Sequence, residues 1–334
     1  MEATTDYHER TRLNMFTQVF MFIVLVSIQW AFPFTRSKIF TNPIAGVRCF
    51  AILFGSFMAI VGMLPFFLTK EILYSTSKVQ ERRPLLANLK ATLRNKPFLL
   101  VLGARTISTA SYNIVAVLGL YLNYYYVFRG DVNKAAIMQG WNGTIFQLAG
   151  IASLFLYRGL AIRYGKRNAI ITAAVVLAAG SISKLFVYIP GKPWLQVIVY
   201  VTNGSSAAGL GMLADAMLPD IADYDESRSG IRREGMYASV LVWFDRIGYS
   251  IGTLISGFIL VWIGFDVKLG GAQPLYTLQL LKILYFIFPF IGSCAVIYLM
   301  TRYTLNEKLC YEIKQHLETR RNALLNKLAS NSFL

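Results

Sequence analysis

Six times along this chain, nineteen or more residues pass without a charged side chain: Leu13–Thr35, Cys49–Thr69, Thr106–Phe128, Ala135–Tyr157, Pro193–Ala214 and Ile283–Thr301. A helix needs about 20 mostly apolar residues to cross about 30 Å of hydrocarbon, so each run is a predicted membrane span. Asn168–Ser183 continues past Lys184 into a seventh, and Glu234–Phe265 forms an eighth that carries two adjacent charges, Asp245 and Arg246. The composition agrees: 55% of residues are hydrophobic and 15% are charged, a smaller charged share than soluble domains carry. The expectation is an all-α polytopic membrane protein with eight transmembrane helices. The polar start, Met1–Arg12, leads directly into a full-length span, unlike a secretory signal with its short apolar core and cleavage site.

The net charge is +16. Nucleic-acid binding is one reading of such a value, but the placement of the charge points to topology. With the N-terminus assigned to the cytoplasm and eight spans threaded, 22 Lys and Arg fall on the cytoplasmic side, 7 on the other and 4 inside spans. That asymmetry follows the positive-inside rule and predicts both termini in the cytoplasm of a cell membrane. The partners it implies are membrane lipids with anionic headgroups, and no nucleic acid. Cys49, Cys294 and Cys310 are scattered without a disulfide or metal spacing, and His8 and His316 lie in polar segments. No cofactor and no enzymatic chemistry are expected.

The organisation reads as two helices (1–69), a basic linker (70–97), six helices (98–302) and a polar tail (303–334). "RRPLLANLKATLRNKPF" places apolar residues at helical spacing with cations between them, which predicts an amphipathic helix; it lies on the membrane face or serves as a solvated linker. "YEIKQHLETRRNALLNKLA" predicts a polar tail helix. Gly165 permits a sharp reversal between the fourth and fifth spans, and Arg163, Lys166 and Arg167 around it can meet helix C-terminal carbonyls and lipid phosphates. Between the sixth and seventh spans a predicted loop sets Asp220, Asp223, Asp225, Glu226 and Glu234 against Arg228, Arg232 and Arg233. Such a cluster can hold one state of a rocking protein with pairs worth about 0–1 kcal/mol each.

Asp245 and Arg246 differ by about 100° around a helix, so they face different surroundings. Ser239, Trp243, Ser250 and Thr253 share the Arg246 face, a stripe suited to a sugar: Trp243 stacks on a ring and Arg246 donates to hydroxyls. Asp245 needs its own partner inside the span. Arg105 and Asp215 lie at similar depth, which predicts an Asp245–Arg105–Asp215 network with a structural or a cation-coupling role. Tyr112 and Asn113 are mid-span substrate contacts or interhelical bonds, and so are Gln139, Trp141, Asn142 and Gln147. Lys184 and Lys282, near the outer interface, are expected to snorkel. "NGSSAAGLGMLAD" is rich in small residues, as close helix packing or a hinge requires.

The stretch "LADAMLPDIADYDESRSGIRREGMYASVLVWFDRIG" resembles the glycoside–pentoside–hexuronide:cation symporters of the major facilitator superfamily, through Asp220, Ile221, Asp223, Tyr224, Arg232, Glu234 and the mid-helix Arg246. "DYHERTRL", "LYLNYYYVFRGD" and "YEIKQHLETRR" resemble further family segments, and the basic turn resembles a superfamily loop motif whose acid is replaced here by Ile162. The resemblance implies a major-facilitator fold in which the eight spans are helices 5–12 of twelve. It implies sugar transport with Na+ or H+ by alternating access, Arg246 near the central cavity, and a cytoplasmic gate of Asp220, Asp223, Arg232, Arg233, Glu234, Arg163 and Arg167. Helices 1–4 have no counterpart, so a homo-oligomer or a missing N-terminal fragment is an expected partner. Two readings stay open beside it: a lipid or lysophospholipid carrier of the same fold, and a non-transporting remnant.

Overall fold

The computed structural model describes residues 23–37, 39–68, 85–231, 233–317 and 319. Every regular element among them is helical. Seven helices are long and apolar enough to cross a membrane: α1 (Pro43–Leu68), α2 (Lys96–Tyr121), α3 (Val132–Tyr164), α4 (Lys166–Val187), α5 (Val197–Ser229), α6 (Glu234–Trp262) and α7 (Leu275–Thr301). The first expected span begins outside the described residues. Its described end is helical at 23–29 and Ala31–Thr35.

Local chemistry sets several boundaries. Asn95 caps α2 by accepting from the Phe98 N–H, and Pro97 occupies the first turn, where its missing N–H costs nothing. Asp131 caps α3 through the Lys134 N–H. Gly165 joins α3 to α4 at φ 82, a left-handed backbone that side chains resist. The predicted acidic loop differs from the structure. α5 stays helical through Ser229, and the chain reverses only at Gly230, so Asp220, Asp223, Asp225 and Glu226 project from a helix. The apolar run that marks the span stops at Ala214, but each further residue still gains its backbone hydrogen bond.

Residues 96–301 form a six-helix bundle. α3 packs most extensively on α5, α2 on α6, α4 on both α5 and α7, and α7 on α2. In lipid, close backbone approach replaces the hydrophobic effect as the driving force between helices. The small residues of α5 serve that end: a Cβ on Gly150 of α3 would lie 3.3 Å from the Gly204 carbonyl oxygen. On α6, Gly248 and Gly252 abut the Thr106 and Ala110 carbonyls of α2. Two buried apolar clusters fill the interior. Phe98, Leu213, Met217 and Tyr237 belong to the one near the Gly165 turn, and Leu118, Leu122, Leu281 and Tyr285 to the other.

Residues 23–35 lie against α3. The Trp30 indole donates to Thr144 at 3.0 Å and meets Trp141 edge-on, over the gap left by Gly140. α1 leans on this segment through Phe34 and Phe50 and leaves most of its apolar surface exposed. The described part of the linker, 85–97, is helical at Leu85–Thr92, which packs beside α6 with Leu89 against the bundle core, and its last residues enter the cap and first turn of α2; residues 70–84 of the prediction lie outside the described residues. The tail is helical at 307–317 and buries Cys310 in part against the same core.

Candidate functional site

α6 carries the mid-span charges. Its buried face holds Tyr237, Leu241, Gly248, Gly252, Ser256 and Ile259. Asp245 borders that face and reaches α2, where the Arg105 Nε donates to both carboxylate oxygens at 3.0 Å and the Thr109 hydroxyl donates to Oδ1 at 2.9 Å. Both charged side chains are 22% exposed. The expected third member, Asp215, makes no hydrogen bond or ion pair with either. It stands exposed on α5, close enough for Arg105 and Asp245 to act on its charge through space. The network is therefore Asp245–Arg105–Thr109, and the sequence reading missed Thr109. The signal for it was spacing: Thr109 follows Arg105 by four residues and shares its face.

Gly211 explains how Arg105 fits. A Cβ there would come within 2.8 Å of Nη1, so the bare backbone of α5 makes room for the guanidinium.

Arg246 is exposed, and its side chain has no hydrogen bond or ion pair among the described residues. Ser239, Trp243 and Ser250 are exposed on the same side of α6, Trp243 by 61%. Both serine hydroxyls donate to the carbonyl four residues back. Asn113 is buried, and its amide donates to the Tyr249 carbonyl and the Thr253 hydroxyl, at 2.5 and 2.6 Å. Those bonds join α2 to α6 and occupy the donor that a sugar contact would use. The Tyr112 hydroxyl is buried without a hydrogen-bond partner.

The half of the bundle away from the Gly165 turn holds a separate polar region. Asn142 donates to Gln196 at 3.2 Å, Gln196 to Asn123 at 3.0 Å, and Asn123 to the Ala135 carbonyl at 3.2 Å; all three side chains are fully buried. Tyr200 donates to Gln139. Lys184 differs from the snorkelling prediction. It is fully buried, with Nζ 4.5 Å from the centre of the Tyr285 ring and no hydrogen-bond partner among the described residues, and the Tyr285 hydroxyl meets that of Tyr188 at 2.9 Å. Lys282 bends to the Tyr188 carbonyl at 3.1 Å.

At the Gly165 end, the gate residues divide. Lys166 pairs with Asp220 at 2.6 Å and also donates to the Ala216 carbonyl. Arg167 donates to the Met300 and Thr301 carbonyls, the negative end of α7. Arg233 pairs with Asp225 at 2.7 Å. Arg163 lies over the Tyr164 ring. Asp223 and Glu234 sit half-buried beside these pairs, and Arg232 lies outside the described residues. Burial foremost, and then the charge of Asp220, push the Cys310 thiol up to about 11; burial raises the Tyr303 phenol too.

Residues 1–307 match the family model described as MFS/sugar transport protein. The chain belongs to that family. It is 28% identical over 323 residues to an Escherichia coli protein provisionally named a sulfoquinovose importer, covering 96% of this chain and 66% of that protein. The isoprimeverose transporter of Lactiplantibacillus pentosus is 26% identical over 70% of this chain and 48% of its own length. A glucuronide carrier protein homolog of Escherichia coli is 26% identical over 62% of the chain and 44% of its own. The chain thus spans about half to two thirds of the length of these relatives. Family and helices together make it a multi-pass membrane protein of the major facilitator superfamily, in a family of transporters rather than enzymes.

Proposed function

We propose that this chain is the greater part of a secondary transporter that moves a glycoside, pentoside or hexuronide together with Na+ or H+ by alternating access. The observation that carries the reading is Arg246. A cation that is mid-span, unpaired and beside the exposed Trp243 is costly in a membrane unless it serves a ligand. An arginine cannot release its proton, so it offers a fixed charge with a planar set of donors. In relatives of this family the named cargo is sugar-type, which suits that stripe. The reading places both termini and the 70–97 linker in the cytoplasm and the Gly165 end facing it, following the 22-to-7 basic split.

The test uses protein reconstituted in liposomes, with counterflow of isoprimeverose or sulfoquinovose measured under an imposed Na+ or pH gradient. Arg246→Ala is expected to abolish binding or coupling while the protein still inserts, and Arg246→Lys to keep part of it. Undiminished exchange by the Ala variant removes Arg246 from the site. Retention of function only when a polypeptide supplying four more helices is co-expressed would identify the missing partner.

A further inference from the structure

Arg105 is only partly used. Its Nε is fixed by Asp245, but Nη1 and Nη2 donate to nothing among the described residues. They lie against Gly211 on α5. Asp215 follows Gly211 by one helical turn, on the same face, and its carboxylate is exposed with no hydrogen bond or ion pair among the described residues. Two free donors and a free acceptor thus stand on facing helices at one depth in the membrane. Such groups are costly in the membrane without partners.

We infer that Arg105 and Asp215 recognise adjacent hydroxyl groups of a neutral sugar ring. A hydroxyl both donates and accepts, so a vicinal diol can take hydrogen bonds from the guanidinium and give one to the carboxylate. A carboxylate or sulfonate can only accept. Net charge favours the diol as well: Arg105, Asp215 and Asp245 sum to −1, which disfavours an anionic group here and leaves it to Arg246. A metal ion is disfavoured by the guanidinium. Asp245 and Thr109 are positioning residues, holding the guanidinium plane from behind.

This inference rests on the sugar-carrier reading, and the experiment separates the two. The full chain in nanodiscs is titrated calorimetrically with isoprimeverose, sulfoquinovose and methyl glucuronide, and then with the monodeoxy analogues of whichever binds. Hydrogen bonds to charged groups are worth about 1.5–3 kcal/mol, so Asp215→Ala, which removes the acceptor altogether, should weaken binding about 10- to 150-fold. In that variant the penalty for deleting one particular ring hydroxyl should shrink to under about 3-fold, because the partner is already gone. A purely structural role for Asp215 would lower all affinities and leave that penalty intact. Arg105→Lys, which keeps charge but loses the fork, should reduce the penalty at the neighbouring hydroxyl. Wild-type affinity in Asp215→Ala, or an unchanged hydroxyl penalty, overturns the inference while leaving the sugar reading in place. Failure of the wild type to bind any of the three sugars overturns both.

Discussion

Two polar regions sit inside this bundle, and they are built on opposite plans. In the half away from the Gly165 turn, Asn123, Asn142 and Gln196 are fully buried and chained to one another, and Lys184 is fully buried over the Tyr285 ring. In the middle of the membrane, Arg105, Asp215, Asp245 and Arg246 remain half-buried or exposed, with donors and acceptors left over. A polar group whose bonds are made inside the protein specifies packing. One that is held firmly and still has capacity left is arranged for something that comes and goes. The contrast lies in access rather than in charge or bonding capacity: the sealed region also contains a cation, and its Lys184 Nζ is buried without a hydrogen-bond partner among the described residues, whereas the groups around Arg105 and Arg246 are open to a ligand.

The sharpest way to break this contrast is to swap the consequences of mutation between the regions. Gln196→Leu strips a partner from both Asn123 and Asn142. Each unpaired buried group costs about 1–3 kcal/mol, so the melting temperature in detergent should fall steeply while sugar affinity of the surviving folded protein stays within about 2-fold. Loss of affinity without loss of stability would erase the distinction.

Next in size is the Arg105–Asp245 pair, which has one foot in each plan. Removing one partner of a buried pair costs about 3–5 kcal/mol in general, and at 22% exposure solvent lowers that figure. Asp245→Asn should therefore lower yield and stability more than affinity, Arg105→Ala should do the same, and the double variant should cost less than the sum. Additive losses in thermal melts would show that the two side chains do not act together.

A smaller effect is expected at Cys310, outside the bundle. With its thiol pushed up to about 11, only about 0.1% is thiolate at pH 8. In a variant keeping Cys310 alone, labelling by N-ethylmaleimide should be slow at neutral pH and accelerate tenfold per unit as pH rises. Rapid labelling at pH 7 would show that the tail helix is not docked.

Much of this architecture is legible in the sequence, because a bilayer allows few solutions. Long apolar runs give the spans α1 to α7, and an Asp inside one of them whose neighbouring Arg246 faces another way demands a cation of its own, which led to Arg105. Other features depended on facts that spacing does not carry. Lys184 sits near a span end, where long cations usually reach water; it is buried over the ring of Tyr285, which is far away in the chain and meets it only in the fold. In the sequence Asn113 reads as a polar residue in mid-span and Asp215 as one near the end of its span. Only the three-dimensional neighbourhood shows that the amide is occupied by α6 and the carboxylate is not. The helical extension of α5 past Ala214 was hidden because charged residues end the apolar signal without ending the hydrogen-bond ladder.

The contact between Gly150 and Gly204 has a mechanical consequence. No side chain stands between the two backbones there, so nothing at that crossing can change rotamer to absorb a displacement. α3 and α5 are in effect one beam. Trp30, seated on Gly140 and Thr144, is bolted to the same beam. If the bundle rocks, a push on that tryptophan reaches Asp215 undamped, and the compliance must be found elsewhere, in the looser seam between α5 and α6 across which Arg105 stretches.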